Sequence, residues 1–239
     1  MKHYTDLFID FDDTLYDTHG GAIISLREVF DEFQLGRHFP DAQVFYDAYW
    51  EANIDLWTRY ARNEITRDYL IVERFHRPLS VAPTLQPTKE FCLQMSDRFL
   101  DLCASKPYVV EGAHELMEHL ASCDYRMHMC SNGFHEVQSR KLASCGLGRY
   151  FTKVILSEDA GANKPSPRFF DYAFKVSGAK PETTLMIGDN YQTDILGAAN
   201  AGLDTLFFNR FPEWQPAAND YQPTMYVTSL KEIIGLLAH

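Results

Sequence analysis

Positive charge is in short supply in this chain. Against 33 acidic residues stand 22 lysines and arginines, a formal net charge of −11. Such a balance lacks the basic face that a phosphate backbone or an anionic bilayer demands, so neither a nucleic-acid polymer nor a membrane is expected as a partner. Long apolar runs are missing as well, and no stretch approaches a membrane span. The first residues, Met1-Lys2-His3-Tyr4-Thr5-Asp6, meet charge before a signal-peptide core could form, so no leader is expected. Cysteine is sparse and unpatterned. The five residues Cys92, Cys103, Cys123, Cys130 and Cys145 are odd in number and include no C-x-x-C pair. Their simplest reading is reduced, partly buried thiols in a cytoplasmic protein. Internal repeats and low-complexity tracts are absent. What the chain does have is 46% hydrophobic and 14% aromatic residues over 239 positions, enough for one or two packed domains.

Short apolar runs punctuate the sequence, each ending in a polar or glycine-containing turn. Leu7–Phe11, Tyr125–Cys130, Lys153–Leu156, Thr184–Ile187, Leu203–Phe208 and the weaker Tyr226–Val227 read as strands. Between them, apolar residues recur at helical spacing over Glu111–Ala121, Glu136–Cys145, Pro167–Ser177 and Asp194–Ala201, with a last amphipathic helix over Ser229–Ala238. Strands alternating with helices of this length predict an α/β fold, a parallel sheet with right-handed crossovers. Residues 17–106 break the rhythm. They read as helical throughout, rich in aromatics from Phe30 to Tyr60 and punctuated by Gly36, Pro40, Pro78, Pro83 and Pro87. The predicted organisation is therefore a sheet domain of residues 1–16 and 107–239 carrying an all-helical insertion of residues 17–106.

Four signals fall at four predicted strand ends, which in an open parallel sheet converge on one crevice. Asp10-Phe11-Asp12-Asp13-Thr14 places two carboxylates at i and i+2 after a nearly uncharged run. Burying like charges is costly unless a cation or hydrogen bonds offset it, and that cost is tolerated where carboxylates do chemistry. Asp10 suits a nucleophile and Asp12 a proton carrier. Ser131-Asn132-Gly133 offers a hydroxyl and backbone N–H groups to phosphoryl oxygens, though it is equally an ordinary turn. Lys164-Pro165-Ser166-Pro167 offers a charge to balance the nucleophile, with Ser166 and Pro167 as N-cap and first residue of a helix. Gly188-Asp189-Asn190-Tyr191-Gln192-Thr193-Asp194 adds two more carboxylates; Asp194 is also read as a plain helix N-cap. Oxygen donors of this kind suit Mg²⁺, with Asp10, Asp189 and the Asp12 carbonyl as direct ligands and Asp194 beside them. No one signal decides by itself, and their joint order along the chain carries the reading.

In these motifs the chain resembles the haloacid dehalogenase superfamily of phosphohydrolases. The match runs through Asp10-x-Asp12-x-Thr14-Leu15, Ser131-Asn132-Gly133, Lys164-Pro165 and Gly188-Asp189-x-x-x-x-Asp194. It implies a Rossmannoid core, a C1-type helical cap, Mg²⁺ as cofactor and an aspartyl-phosphate intermediate. Asp10, Asp12, Ser131 and Lys164 would be catalytic, Thr14, Asn132 and Gly133 would bind substrate, and Asp10, Asp12, Asp189 and Asp194 would hold the metal. Because Asp12 is present, the resemblance favours phosphate-ester cleavage over halide displacement. Leu56-Trp57-x-x-Tyr60, Glu64-Ile65-Thr66, Ser131-Asn132-Gly133-Phe134 and Phe170-Asp171-Tyr172-Ala173 are similar to the pyrimidine 5′-nucleotidase branch. Trp57 and Tyr60 would then stack on a base, or else form the core of the cap. The expected substrate is a small phosphorylated metabolite, a nucleoside monophosphate, acted on by a monomer or homodimer. A sugar-phosphate phosphatase or phosphomutase, and a non-catalytic binder of phosphorylated ligands, are the alternatives.

Overall fold

The computed structural model describes residues 3–211 and 220–237. Six strands form one parallel sheet: β1 (Asp6–Ile9), β2 (Arg126–Ser131), β3 (Lys153–Leu156), β4 (Thr184–Gly188), β5 (Asp204–Phe208) and β6 (Met225–Val227). Their order is β3-β2-β1-β4-β5-β6. The chain therefore builds outward on one side of β1 and returns to build outward on the other. The switch point lies between β1 and β4, where ligands bind in sheets of this kind. Register makes this concrete. Ile9 pairs with Met129 on β2 and with Ile187 on β4, so the residues that follow, Asp10, Cys130 and Gly188, come level at one rim.

Ten helices are described: α1 (Thr18–Glu32), α2 (Ala42–Ala61), α3 (Arg67–Leu79), α4 (Lys89–Ser105), α5 (Ala113–Ser122), α6 (His135–Cys145), α7 (Ser157–Ala160), α8 (Pro167–Ser177), α9 (Gly197–Asn200) and α10 (Leu230–Leu236). The expected final helix is α10, capped by Ser229, whose hydroxyl accepts the Lys231 N–H; Ala238 lies outside the described residues. Strand alternation divides the sheet's core in two. Leu7, Ile9, Met127, Met129, Leu185 and Ile187 pack on one face, and Phe8, Cys130 and Met186 on the other. Helices cover both faces, which is why these strands read as continuous apolar runs rather than as alternating ones.

The chain divides into two compact units, cut after Thr18 and after Lys106. The sequence reading cuts after Tyr16. Asp17 and Thr18 stay with the sheet because the Asp17 N–H donates to the Tyr108 carbonyl, Arg210 pairs with the Asp17 carboxylate, and Thr18 donates to Asp12. The second unit, His19–Lys106, is all helical. Side chains of Asp41, Thr66 and Thr88 cap α2, α3 and α4. An aromatic core of Phe30, Phe39, Phe45, Tyr49, Phe75 and Phe99 fills it. Among the described residues no helix is long and apolar enough to cross a membrane. All five cysteines are free thiols.

Toward the opposite rim of the sheet, Asp6 at the start of β1 and His128, the third residue of β2, form a buried polar pair. His128 Nε2 lies 3.0 Å from Asp6 Oδ1, and Arg126 donates to Asp6 Oδ2 at 2.7 Å. Burial pushes the His128 imidazole below its usual pKa, against the pull of Asp6. The geometry agrees: Nδ1 is buried without a hydrogen-bond partner, so protonation would bury an unpaired N–H. The unfolded chain, in contrast, takes up that proton from about pH 6.5 downward. Stability from this group is therefore complete above about pH 6.5 and is lost as pH falls toward the depressed native value. Urea midpoints at pH 7.5 and 5.5 should fall further for the wild type than for His128→Gln, which keeps a donor to Asp6 and does not titrate; equal falls would show that the imidazole is not held neutral.

Candidate active site

Asp10 leaves β1 with its N–H bonded to the Ile187 carbonyl, as if the strand ran one residue further. Its carboxylate turns into the crevice beside β4. Lys164 reaches the same point from the loop before α8. The Lys164 ammonium donates to Asp10 Oδ1, Asp194 Oδ1 and the Cys130 carbonyl, each at 2.7 Å, which uses all three of its hydrogens. Asn132 fixes the lysine from behind. Its amide Nδ2 donates to the Lys164 carbonyl at 2.9 Å, and its Oδ1 accepts the Lys164 N–H at 2.8 Å. Thr14 ties the two strand ends together. Its hydroxyl lies within reach of both Asp10 Oδ2 and Asp189 Oδ1 and accepts the Asp189 N–H. Having one proton, it serves one carboxylate at a time.

Asp10, Asp189 and Asp194 each bring an oxygen to within 4.8 Å of the others. Three carboxylates thus share one ammonium, and full ionisation would leave two negative charges in excess. Burial, abetted by Asp194 and Asp12 and opposed by Lys164, pushes the Asp10 carboxyl up to about 7. Burial and the charges of Asp10, Asp13 and Asp194 push Asp189 well above the carboxylate range. Burial works against the Lys164 charge, but Asp10 and Asp194 more than offset it and hold the ammonium protonated. An all-oxygen donor set carrying uncompensated negative charge fits a hard divalent cation. Asp194 is the most engaged of the three, with Oδ1 on Lys164 and Oδ2 accepting the Asn190 N–H at 3.1 Å.

Asp12 stands apart from this cluster. Lys141 and Thr18 donate to its Oδ1 and Gln138 to its Oδ2, with Ser131 at 3.5 Å from Oδ2. Burial raises its proton affinity, but Lys141 and these hydrogen bonds outweigh burial and hold it below the usual carboxylate range. Ser131 is braced in turn, its Oγ accepting from the Gly133 N–H and from Gln138 Nε2 at 3.0 Å each. Gly133 must be glycine for Gln138 to reach Asp12, because a Cβ there would lie 1.7 Å from the glutamine amide nitrogen.

Residues of three kinds depart from the sequence reading or escape it. Asp194 does not cap a helix; it falls inside a π-helical turn, Tyr191–Leu196, whose N-cap is Asn190. Ser166 occupies the N-cap position of α8, but its side chain makes no capping bond. Gln138, Lys141 and Arg210 join the site without a signal in the sequence. Gln138 and Lys141 lie at i and i+3 on α6 among buried neighbours, a pattern indistinguishable by spacing from a solvated face. Arg210, beyond β5, pairs with Asp13 at 2.9 Å and Asp17 at 2.6 Å and so braces the loop that carries Asp12. Trp57 and Tyr60 belong to the helical unit, where their half-buried rings meet edge to face with centroids 5.7 Å apart. Gly188, the last residue of β4, admits Asp194, for a Cβ would fall 2.3 Å from its Oδ2. Gly188→Ala should therefore destabilise the protein by about 1–3 kcal/mol, the usual range for overpacking, as read by urea denaturation; an unchanged midpoint would mean the carboxylate can step aside freely.

Known proteins share the fold that carries these residues. A family model described as haloacid dehalogenase-like hydrolase matches residues 7–202. The chain is 30% identical over 98% of its length to the pyrimidine 5′-nucleotidase PynA of Streptococcus pneumoniae, of which it covers 95%. It is 31% identical over 97% of its length to the pyrimidine 5′-nucleotidase YjjG of Escherichia coli, of which it covers 96%. Among solved structures, that of the putative HAD-hydrolase YfnB of Bacillus subtilis, described as bound to magnesium, is similar over the whole of both chains, with a TM-score of 0.86 at 27% identity. The rim of β1 and β4 thus carries the carboxylates and the lysine on a matching fold, and the chain belongs to the haloacid dehalogenase-like hydrolase family.

Proposed function

We propose that this chain is a Mg²⁺-dependent phosphomonoesterase that hydrolyses pyrimidine nucleoside monophosphates through an aspartyl phosphate on Asp10. The observation that carries the reading is the convergence of Asp10, Asp189, Asp194 and Lys164 at one buried rim, with Asp12 held separately beside them. The nucleotide preference rests on the likeness to PynA and YjjG, and Mg²⁺ on the donor set and the likeness to YfnB. Asp10, Asp189 and the Asp12 carbonyl would hold the ion, with Asp194 orienting Lys164 beside it. When bound, the ion would offset negative charge gathering on the phosphoryl oxygens.

The residues divide the remaining work. Asp10 attacks phosphorus in line, forming an O–P bond as the ester P–O bond breaks. Asp12 gives a proton to the departing oxygen; the charge of a phosphoryl group arriving beside it raises its proton affinity for that step. Once the alcohol has left, Asp12 is a carboxylate again and takes a proton from the water that attacks the aspartyl phosphate. Inorganic phosphate departs and Asp10 is restored. Lys164 and Ser131 orient and neutralise phosphoryl oxygens. Recognition beyond the phosphoryl group is assigned to the helical unit as a cap, with Trp57 and Tyr60 as its base-contacting aromatics. Five free thiols suit a cytoplasmic setting.

A phosphate-release screen over nucleotides, sugar phosphates and an aryl phosphate, with and without Mg²⁺, tests the reading directly. Pyrimidine nucleoside monophosphates should be cleaved fastest and only with the ion; rapid turnover in chelator would overturn the metal assignment. Asp10→Asn should abolish turnover while the protein melts as a folded chain, and a near-normal rate would remove Asp10 as nucleophile. Mg²⁺ at a hundredfold excess over its Kd should stabilise the wild type by about 2.7 kcal/mol. That gain should vanish in Asp189→Asn, as read by thermal melting.

A further inference from the structure

α6 buries Val137 and Cys145, as an amphipathic helix should, but it also buries Gln138 and Lys141, at 1% and 4% exposure. A buried ammonium is tolerated only where partners compensate it, and an apolar residue of similar size commonly packs such a position as well or better. Packing alone therefore gives no reason for a lysine here. Its contacts do. The Lys141 ammonium donates to Asp12 Oδ1 and, at 3.1 Å, to Thr18 Oγ1, and lies 5.0 Å from the centroid of the Tyr16 ring. Gln138 takes the other oxygen, Oδ2, and its own Oε1 is buried without a partner, so its place in the fold is justified by what it donates. Two neighbouring residues of one helical face thus grip opposite oxygens of one carboxylate. Asp12 itself keeps 28% of its side chain exposed, while Lys141 beneath it keeps 5%. The carboxylate is held from below and open on its remaining side.

We infer that Lys141, assisted by Gln138, is a positioning residue that fixes the Asp12 carboxylate for proton transfer to and from the substrate oxygen. This rests on the reading of Asp12 as proton carrier. An alkyl ester, such as a nucleoside monophosphate, needs a proton on its departing oxygen. para-Nitrophenyl phosphate does not, because its leaving group departs as a stable phenolate. A residue that acts through Asp12 must therefore matter far more for the first ester than for the second.

The test compares kcat/KM, which reports the steps through departure of the alcohol, for a nucleoside monophosphate and for para-nitrophenyl phosphate. Lys141→Met should lower it at least about 30-fold for the nucleotide, toward the scale of general acid catalysis, and less than about threefold for the aryl ester. Lys141→Arg, which keeps the charge, should recover most of the loss. Equal falls for both esters would mark a packing role and overturn the assignment, as would no fall at all. If Lys141→Met does not melt cooperatively, Gln138→Met supplies the comparison through the other oxygen; because Gln138 also donates to Ser131, it is judged by the ratio of the two losses, which should be about tenfold or more against the nucleotide. Asp12→Asn separates the two ways of failing. If it shows no difference between esters, the proton-carrier reading falls and the Lys141 assignment with it. If it shows one and Lys141→Met does not, the Lys141 assignment falls alone.

Discussion

A single buried ammonium organises the rim of this sheet. Lys164 gives its three hydrogens to Asp10, Asp194 and the Cys130 carbonyl, and so joins β1, β2 and the turn after β4 at one point. Gathering Asp10, Asp189 and Asp194 within a few ångströms without that charge would be prohibitively unfavourable in a medium of low polarity. With it, the cluster is still short of positive charge, and that shortfall fits a divalent cation. The lysine is itself held by its own backbone, through both ends of the Asn132 amide. A turn that sequence patterns describe only as polar thereby becomes a brace for the charge on which the site depends.

The second constraint is the contrast between Asp10 and Asp12, two residues apart on one loop. Burial and neighbouring carboxylates make Asp10 reluctant to ionise, whereas Lys141, Thr18 and Gln138 favour the ionised form of Asp12. Environments that push paired carboxyl groups in opposite directions are how one fold assigns them different tasks. Close approach permits the arrangement: Gly133 lets Gln138 reach Asp12, and Gly188 lets Asp194 reach Lys164. At the far side Arg210 braces the same loop through Asp13 and Asp17, and Asp13 adopts a positive φ of 62° within it. Asparagine and aspartate accept that conformation more readily than most residues.

Much of the fold was legible in the sequence because burial of strands on both faces leaves uninterrupted apolar runs. β3 and α8 match their expected spans residue for residue, and the other strands differ by a residue or two at their ends. At the turn after β4 the structure decides between two readings of Asp194. Asp194 resembles a cap by composition, but its carboxylate is drawn to Lys164, and Asn190 caps the turn in its place. Asp10 and Asp189 could be named because each closes an apolar run, whereas Lys164 lies beyond α7, well past the end of β3, and is marked only by the Lys164-Pro165 pair before α8. Gln138, Lys141 and Arg210 could not, since polar residues on a helix or past a strand carry no local mark of burial.

Composition and periodicity by themselves determined an acidic α/β protein with carboxylates at the ends of its strands, because the free energy of burying apolar side chains acts through spacing along the chain. Only the tertiary structure decided which charges face one another. Lys164 is 154 positions from Asp10, and Lys141 is 129 from Asp12. Electrostatic pairing depends on separation in space, and that separation is set by strand order and register rather than by distance in sequence.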